Sequence, residues 1–274
     1  MSKYNLIIDN ARNDFDLFWQ ILDIKKERPE VFYDEMEKLS VYYMFKYSIW
    51  SKTPTDRGCI PFENIEADLN RLHDAPCGIF FELENTELEK ECFYDRFSNI
   101  VMDTARGRDV YAVVYSSALA EFLKERYPFI KLVLSEIRRA DRLEKPFEMR
   151  VIDYNAYKSG FSGNKEEIVL AVNSFCADSY KCTRIISDNK LNYSIERPNN
   201  CPDRIRSFTD MQKNNLFVSL EEMRRINDEG VKNFFVKANS DDRYEILETY
   251  LYYLIKPEFL DEISLRLIKA CFMK

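Results

Sequence analysis

Glycine is scarce in this chain, histidine is nearly absent, and no long apolar run occurs. Six glycines in 274 residues leave no G-x-G-x-x-G and no G-x-x-x-x-G-K-[ST], so neither standard phosphate-cradling loop is present. The single histidine, His73, excludes H-E-x-x-H and every multi-histidine metal site, and removes most Ser–His and Cys–His nucleophile pairs. Nothing approaches the roughly 18 consecutive apolar residues of a membrane span. The amino-terminal MSKYNLIIDNARNDFD lacks the basic start and apolar stretch of a secretory signal, so a cytoplasmic location with no membrane partner is expected. Lys and Arg number 40 against 47 Asp and Glu, and a net charge of −7 opposes a polyphosphate chain; no nucleic-acid partner is expected.

What is abundant is core-forming material. The chain is 46% hydrophobic and 14% aromatic, with 20 Phe and 17 Tyr, enough for one large domain over residues 1–274. Eight short β-rich runs are predicted at Leu6–Asp9, Val41–Lys46, Gly78–Leu83, Val110–Ser116, Lys131–Ser135, Met149–Asp153, Ile168–Asn173 and Val231–Lys237. Several, such as VYAVVYS and GIFFEL, are continuously apolar, as parallel strands covered on both faces require. Between them lie helical patterns: Phe15, Phe18, Trp19 and Leu22 share one face, and so do Ile65, Leu69 and Leu72. Thr86–Glu89, Ser219–Glu222 and Asp242–Glu245 have the form of capping boxes, Gly230 is placed to end a helix, and Tyr127-Pro128 to stop another.

Eight βα units predict a (β/α)8 TIM-type barrel, although a doubly wound sheet would give much of the same pattern. The sixth crossover, 156–167, is polar and carries Gly160 and Gly163, so no full helix is expected there. After strand seven, residues 175–214 form a cysteine-containing excursion of weak periodicity, expected as a lid over the strand carboxyl ends.

Barrel active sites are built where the strands end. The sequence places Asp9 and Asn10, Tyr47 and Ser48, Glu82 and Glu84, Ser116 and Ser117, Ser135 and Glu136, Asp153 to Asn155, Asn173, Lys237 and Asn239 there. Glu82 and Glu84 are two apart on a strand and share a face, which suits paired acid and base work or a rim salt bridge equally. Lys237, after Phe234, Phe235 and Val236, is expected to clamp an anionic substrate or to form a buried ion pair with Asp153 or Glu82. Catalysis is therefore assigned to Lys237, Glu82 and Asp153, and substrate binding to Asn155, Asn173, Tyr47 and Ser116. His73 falls near a helix end on the opposite face of the barrel, where a structural role is expected.

Of the seven cysteines, Cys176, Cys182 and Cys201 fall together in the excursion, spaced C-x5-C-x18-C. Thiolates clustered there could hold zinc or an iron–sulfur cluster, with ordinary buried thiols the alternative. Cys59, after strand two, could approach the same rim.

The runs VYAVVYSSALAEFLKERYPFIKLVLS, RVIDYN, NSFCADSYKCTRI and NNLFVSLEEMRRINDEGVKNFFVKANS together resemble the collagenase-like peptidase family, whose label as a peptidase is loose. The likeness is closest from Ser219 to Lys237, extends over residues 78–260, and is distributed rather than held in one signature. The tail from Tyr250 to Glu258 is similar to the closing helix of a branch found among bacterial surface-polysaccharide genes. The resemblance implies a TIM-type barrel, and relatives that bind a [4Fe–4S] cluster through loop cysteines. On that pattern Cys176, Cys182 and Cys201 match the first three cysteines, and Lys237 the strand-eight lysine. The expected Gly-Arg after the lysine reads Asn239-Ser240, and no fourth cysteine follows Cys201 in the excursion. A cluster would then be three-cysteine ligated, completed by Cys59 or another donor, or absent.

Three readings follow. The first is a barrel enzyme modifying a small polar or glycan-related molecule at the strand carboxyl ends. The second is a non-catalytic binding or assembly barrel, with the Tyr250–Ile255 helix as an oligomer or partner interface; it predicts an exposed apolar patch and no polar pocket. The third is a peptidase, for which the sequence offers no recognisable nucleophile and base pair.

Overall fold

Strand-forming runs recur from one end of the chain to the other, and in the computed structural model they close on one another. The structure describes residues 2–9, 15–44, 48–51, 66–67, 69–71, 77–86, 88–136, 138, 143–174, 184–189, 192–196, 207–238 and 242–273. Eight strands form a closed barrel: β1 (Tyr4–Asp9), β2 (Met36–Met44), β3 (Cys77–Leu83), β4 (Val110–Val114), β5 (Lys131–Leu134), β6 (Met149–Asp153), β7 (Ile168–Ala171) and β10 (Asn233–Val236). Neighbours pair in parallel all the way round, β10 closing between β7 and β1. This is the (β/α)8 TIM barrel expected from the alternation of strands and helices, and not the doubly wound sheet.

Described helices are α1 (Phe15–Glu27), α2 (Arg96–Thr104), α3 (Ser117–Arg126), α4 (Tyr154–Lys158), α5 (Phe208–Gln212), α6 (Leu220–Asp228), α7 (Arg243–Leu254) and α8 (Leu260–Cys271). Among the described residues no helix is long and apolar enough to cross a membrane. Most start signals hold: Ser219 Oγ accepts from the Glu222 amide at 3.2 Å, and Asp242 Oδ1 from the Tyr244 amide at 2.8 Å. Gly230, at φ +117°, lies just past α6 in a conformation that a Cβ disfavours, and Tyr127 ends α3. Gly230→Ala is expected to cost about 1 kcal/mol in urea unfolding. The Thr86–Glu89 signal, by contrast, starts no α-helix. A 3-10 turn at Lys90–Tyr94 follows it, and α2 begins only at Asp95, whose carboxylate accepts from the Ser98 amide at 2.8 Å.

Alternation decides what each strand offers. In β1, Leu6 and Ile8 point to the helices and Ile7 to the barrel interior, where it meets Tyr42, Phe80, Val113, Val133, Val151, Val169, Ala171 and Phe235. Apolar residues on both faces explain the continuous runs. Phe80 and Tyr111, paired on the neighbouring strands β3 and β4, stack at 4.2 Å with their rings nearly parallel. Below them the amino-terminal end is polar. Lys38 and Lys131 both pair with Asp109, Lys131 also donates to the Tyr111 hydroxyl at 3.2 Å, and Ser40 donates to Asn5 at 2.7 Å. A Cβ on Gly78 would stand 2.7 Å from Ser40 Oγ, so only glycine fits this plug, and Gly78→Ala is expected to cost about 1–3 kcal/mol in the same assay.

The sixth crossover is as thin as its sequence: α4 is five residues long. The excursion after β7 holds more order than its weak periodicity suggested. It contains an antiparallel hairpin, β8 (Arg184–Asn189) with β9 (Asn192–Glu196), and α5. Its far end returns to its origin: the Val218 amide donates to Val172 O at 2.8 Å, Asn173 bridges to Phe217, and the Tyr253 hydroxyl donates to Val218 O at 2.8 Å.

Candidate active site

Carried past the strand ends, the inward positions become polar. Strand registers place Asp9 beside Tyr42, Tyr42 beside Phe80 and Asp153 beside Ala171, and Glu82 follows Phe80 by two, so these side chains share the face that carries the interior core. Ser135, Asn173 and Lys237 follow two residues beyond the interior residues Val133, Ala171 and Phe235. The mouth at the carboxyl ends is therefore a polar ring on an apolar floor.

On one side of the ring Glu84, buried, accepts from the Tyr42 hydroxyl at 2.9 Å and from Ser135 Oγ, tying β2, β3 and β5 together across β4. Burial, then the charges of Glu84, Glu82 and Asp9, push the Tyr42 phenol well above its ordinary pKa, so it stays protonated and donates. Opposite, the Lys237 ammonium spans β7 and β6 to reach Glu136 at 2.5 Å and Ser174 Oγ at 3.4 Å, with its side chain only 14% exposed. Asn173 fixes the lysine's backbone from both sides: the Lys237 amide donates to Asn173 Oδ1 at 2.7 Å, and Asn173 Nδ2 donates to Lys237 O at 2.8 Å. Next to it the Ala238 amide donates to Asp9 at 3.3 Å, and the Tyr250 hydroxyl donates to the Asp9 carbonyl.

Glu82, Asn173 and Lys237 thus stand where the sequence put them, but one expected contact differs. Lys237 pairs with Glu136 rather than Asp153 or Glu82, because the lysine leaves β10 across the mouth instead of along the wall. Glu84 accepts from two hydroxyls. Asp153 is half-buried and accepts from the Ala156 amide at 2.8 Å as the cap of α4, while Asn155 lies on that short helix. Ser116 caps α3, its Oγ accepting from the Leu119 amide at 3.3 Å. Tyr47, Asn10, Asn239, His73, Cys59 and the excursion cysteines Cys176, Cys182 and Cys201 lie outside the described residues.

Tyr42 and Ser174 were not among the expected site residues. Tyr42 was readable, since β2 begins at Met36 and the period of two from Ser40 carries Tyr42 inward; the predicted strand began too late, and its last two residues, 45–46, lie outside the described residues. Among the described cysteines, burial pushes the Cys77 thiol up to about 12, which leaves it inert at neutral pH. Among the described residues no three His, Cys, Asp or Glu side chains are grouped to hold a metal ion.

The protonated Tyr42 makes a pH prediction. A group whose pKa is raised on folding contributes stability that is fully present below its unfolded value, about 10 for tyrosine, and is lost as pH rises toward the folded value. Stability to urea is expected to hold from pH 8 to 10 and fall above 10, with the fall shallower in Tyr42→Phe. Equal slopes in the two proteins would show that Tyr42 does not supply the effect.

A scan against models of known protein families finds no match, and a search of curated proteins likewise finds none.

Proposed function

We propose that the carboxyl-end mouth is the active site of a cytoplasmic barrel enzyme that modifies a small polar or glycan-related molecule, with the fold and chemistry of the collagenase-like peptidase barrels that the sequence resembles. The observation that carries this reading is that one mouth holds a nearly buried ammonium, Lys237, paired with Glu136, together with the buried carboxylates Glu82 and Glu84, on a prebuilt hydrogen-bond frame. Buried charge is costly to maintain, and a ring of it at the barrel's catalytic end is a reason to look for chemistry there.

In this reading Lys237 faces negative charge as it develops on the substrate, and Glu82 gives or takes a proton. Glu84 with Tyr42 and Ser135 holds the substrate's polar groups, and Asn173 positions the lysine. Asp153 contributes at the edge of the mouth. The resemblance adds a [4Fe–4S] cluster on Cys176, Cys182 and Cys201, which lie outside the described residues. Iron and sulfide content of protein purified without oxygen tests that addition, with stoichiometric amounts lost in Cys182→Ala expected.

The activity itself is tested by incubating wild type and Lys237→Ala with a small-molecule extract and comparing what each consumes by mass spectrometry. Compounds consumed by the wild type alone are expected. Identical profiles from the two folded proteins would remove Lys237 from the mechanism. A folded wild type that consumes nothing, with or without reconstituted iron and sulfide, would favour the binding or assembly reading.

A further inference from the structure

The short α4 has a consequence on the outside of the barrel. Between β5 and β6 the described residues 135–136, 138 and 143–148 contain no helix, and α4 covers β6 for five residues only. A cavity of about 770 Å³ lies along this flank. It begins at Ser135, Glu136 and Asp153, which belong to the mouth, and runs outward past Asn155 to Phe161 and Asn164. It is large enough for several sugar-sized units, and within the range of small-molecule sites.

The lining chemistry narrows the occupant. Arg138 and Arg150 supply donors; Asp153 and Glu167 supply acceptors; Asn155 and Asn164 supply both. The lining holds both signs of charge, Arg138 and Arg150 with Glu136, Asp153 and Glu167, Glu136 being answered by Lys237 and Arg138 by Glu144 at 3.6 Å. A strongly anionic or cationic chain meets like charge somewhere along this wall. Hydroxyl groups, which donate and accept, meet a partner at each position, and Leu134, Leu143 and Ile152 offer apolar surface to C–H faces. The Phe161 ring is held in place by the Arg150 guanidinium at 4.7 Å from its centroid and by Tyr157, which stacks on it at 6.4 Å.

We propose that the flank cavity is an extension of the mouth that binds a neutral, hydroxyl-rich chain, an oligosaccharide, whose terminal unit enters the mouth over Ser135, Glu136 and Asp153. The proposal rests on the mouth being the reacting end of the site. It makes the enzyme a reader of chain length, with the mouth gripping one unit and the flank the units that follow.

Calorimetric titration of the intact protein with neutral glucose and N-acetylglucosamine oligomers of one to five units tests it. Affinity is expected to rise at least tenfold from one unit to four in one of the series. Ser162→Trp, at an exposed loop position on the cavity wall, and Asn155→Ala, on the short helix, are each expected to lose most of that gain, so that misfolding of either leaves the other informative. Length-dependent binding that both folded variants abolish, in a protein that turns over no oligomer, would uphold the cavity and count against the mouth's chemistry. Turnover of a single sugar with no gain from added units would uphold the mouth and overturn the cavity proposal. Absence of binding in both series, tighter binding of a polyanionic oligomer, or preference for a neutral glycine–serine peptide of the same length would overturn it too.

Discussion

Lys237→Ala is expected to lower turnover of whatever compound the wild type consumes by roughly 10²- to 10⁴-fold, the range for removing a positioned charge or proton-transfer group. The lysine's ammonium crosses the described mouth to Glu136, and its backbone is clamped by Asn173. The fold should survive. Removing the ammonium leaves Glu136, whose side chain is 31% exposed and can be rehydrated, so the loss in stability is expected to stay within about 1–2 kcal/mol. Lys237→Arg should restore part of the charge effect but little of the activity if Lys237 exchanges a proton, and much of it if the residue only binds an anion. Turnover within a factor of three of wild type in well-folded Lys237→Ala would remove the residue from the mechanism.

Phe80→Ala is expected to be the most costly single truncation in the barrel interior, at about 3–5 kcal/mol. The ring is 1% exposed, stacks on Tyr111, and sits one inward position below Glu82 on the same strand, so its loss opens a cavity under the mouth. Urea unfolding measures the cost, and a thermal midpoint lower by roughly 2–4 °C per kcal/mol should accompany it. Because the floor also positions Glu82, activity should fall further than the folded fraction accounts for. Phe80→Leu should cost less than half as much. A loss under 1 kcal/mol in Phe80→Ala would mean that the neighbours collapse into the space and that the floor is not rigid.

The architecture was readable because each strand carries its own signal. Continuous apolar runs such as GIFFEL and VYAVV mark strands covered on both faces, and every one of the eight expected runs lies on a barrel strand. Strand ends were less readable. β2 begins at Met36, well before the predicted start at Val41, and the late start moved attention to Tyr47 and Ser48 and away from Tyr42, whose place follows from counting in twos from Ser40. Ser116 carries a structural duty that the strand reading did not anticipate: β4 ends at Val114, and a serine two residues on is already the cap of the next helix. Which residues meet across the mouth was not readable at all. Lys237 and Glu136 are 101 positions apart, and Glu84 and Ser135 are 51 apart; barrel closure brings each pair together, and no local pattern encodes it. The hairpin β8–β9 was missed because Arg184–Asn189 and Asn192–Glu196 alternate over too few residues to stand out in a polar segment.

The most direct test of the mouth as the active site is a crystal structure of Glu82→Gln or Lys237→Ala soaked with the compound that wild type consumes. Density for that compound at the carboxyl ends of the strands, within hydrogen-bonding reach of Glu84 and residue 237, is the expected result. The compound bound elsewhere, with the mouth closed by its own Lys237–Glu136 and Glu84–Ser135 contacts in the Glu82→Gln crystal, would show that this polar ring holds the barrel together and performs no chemistry.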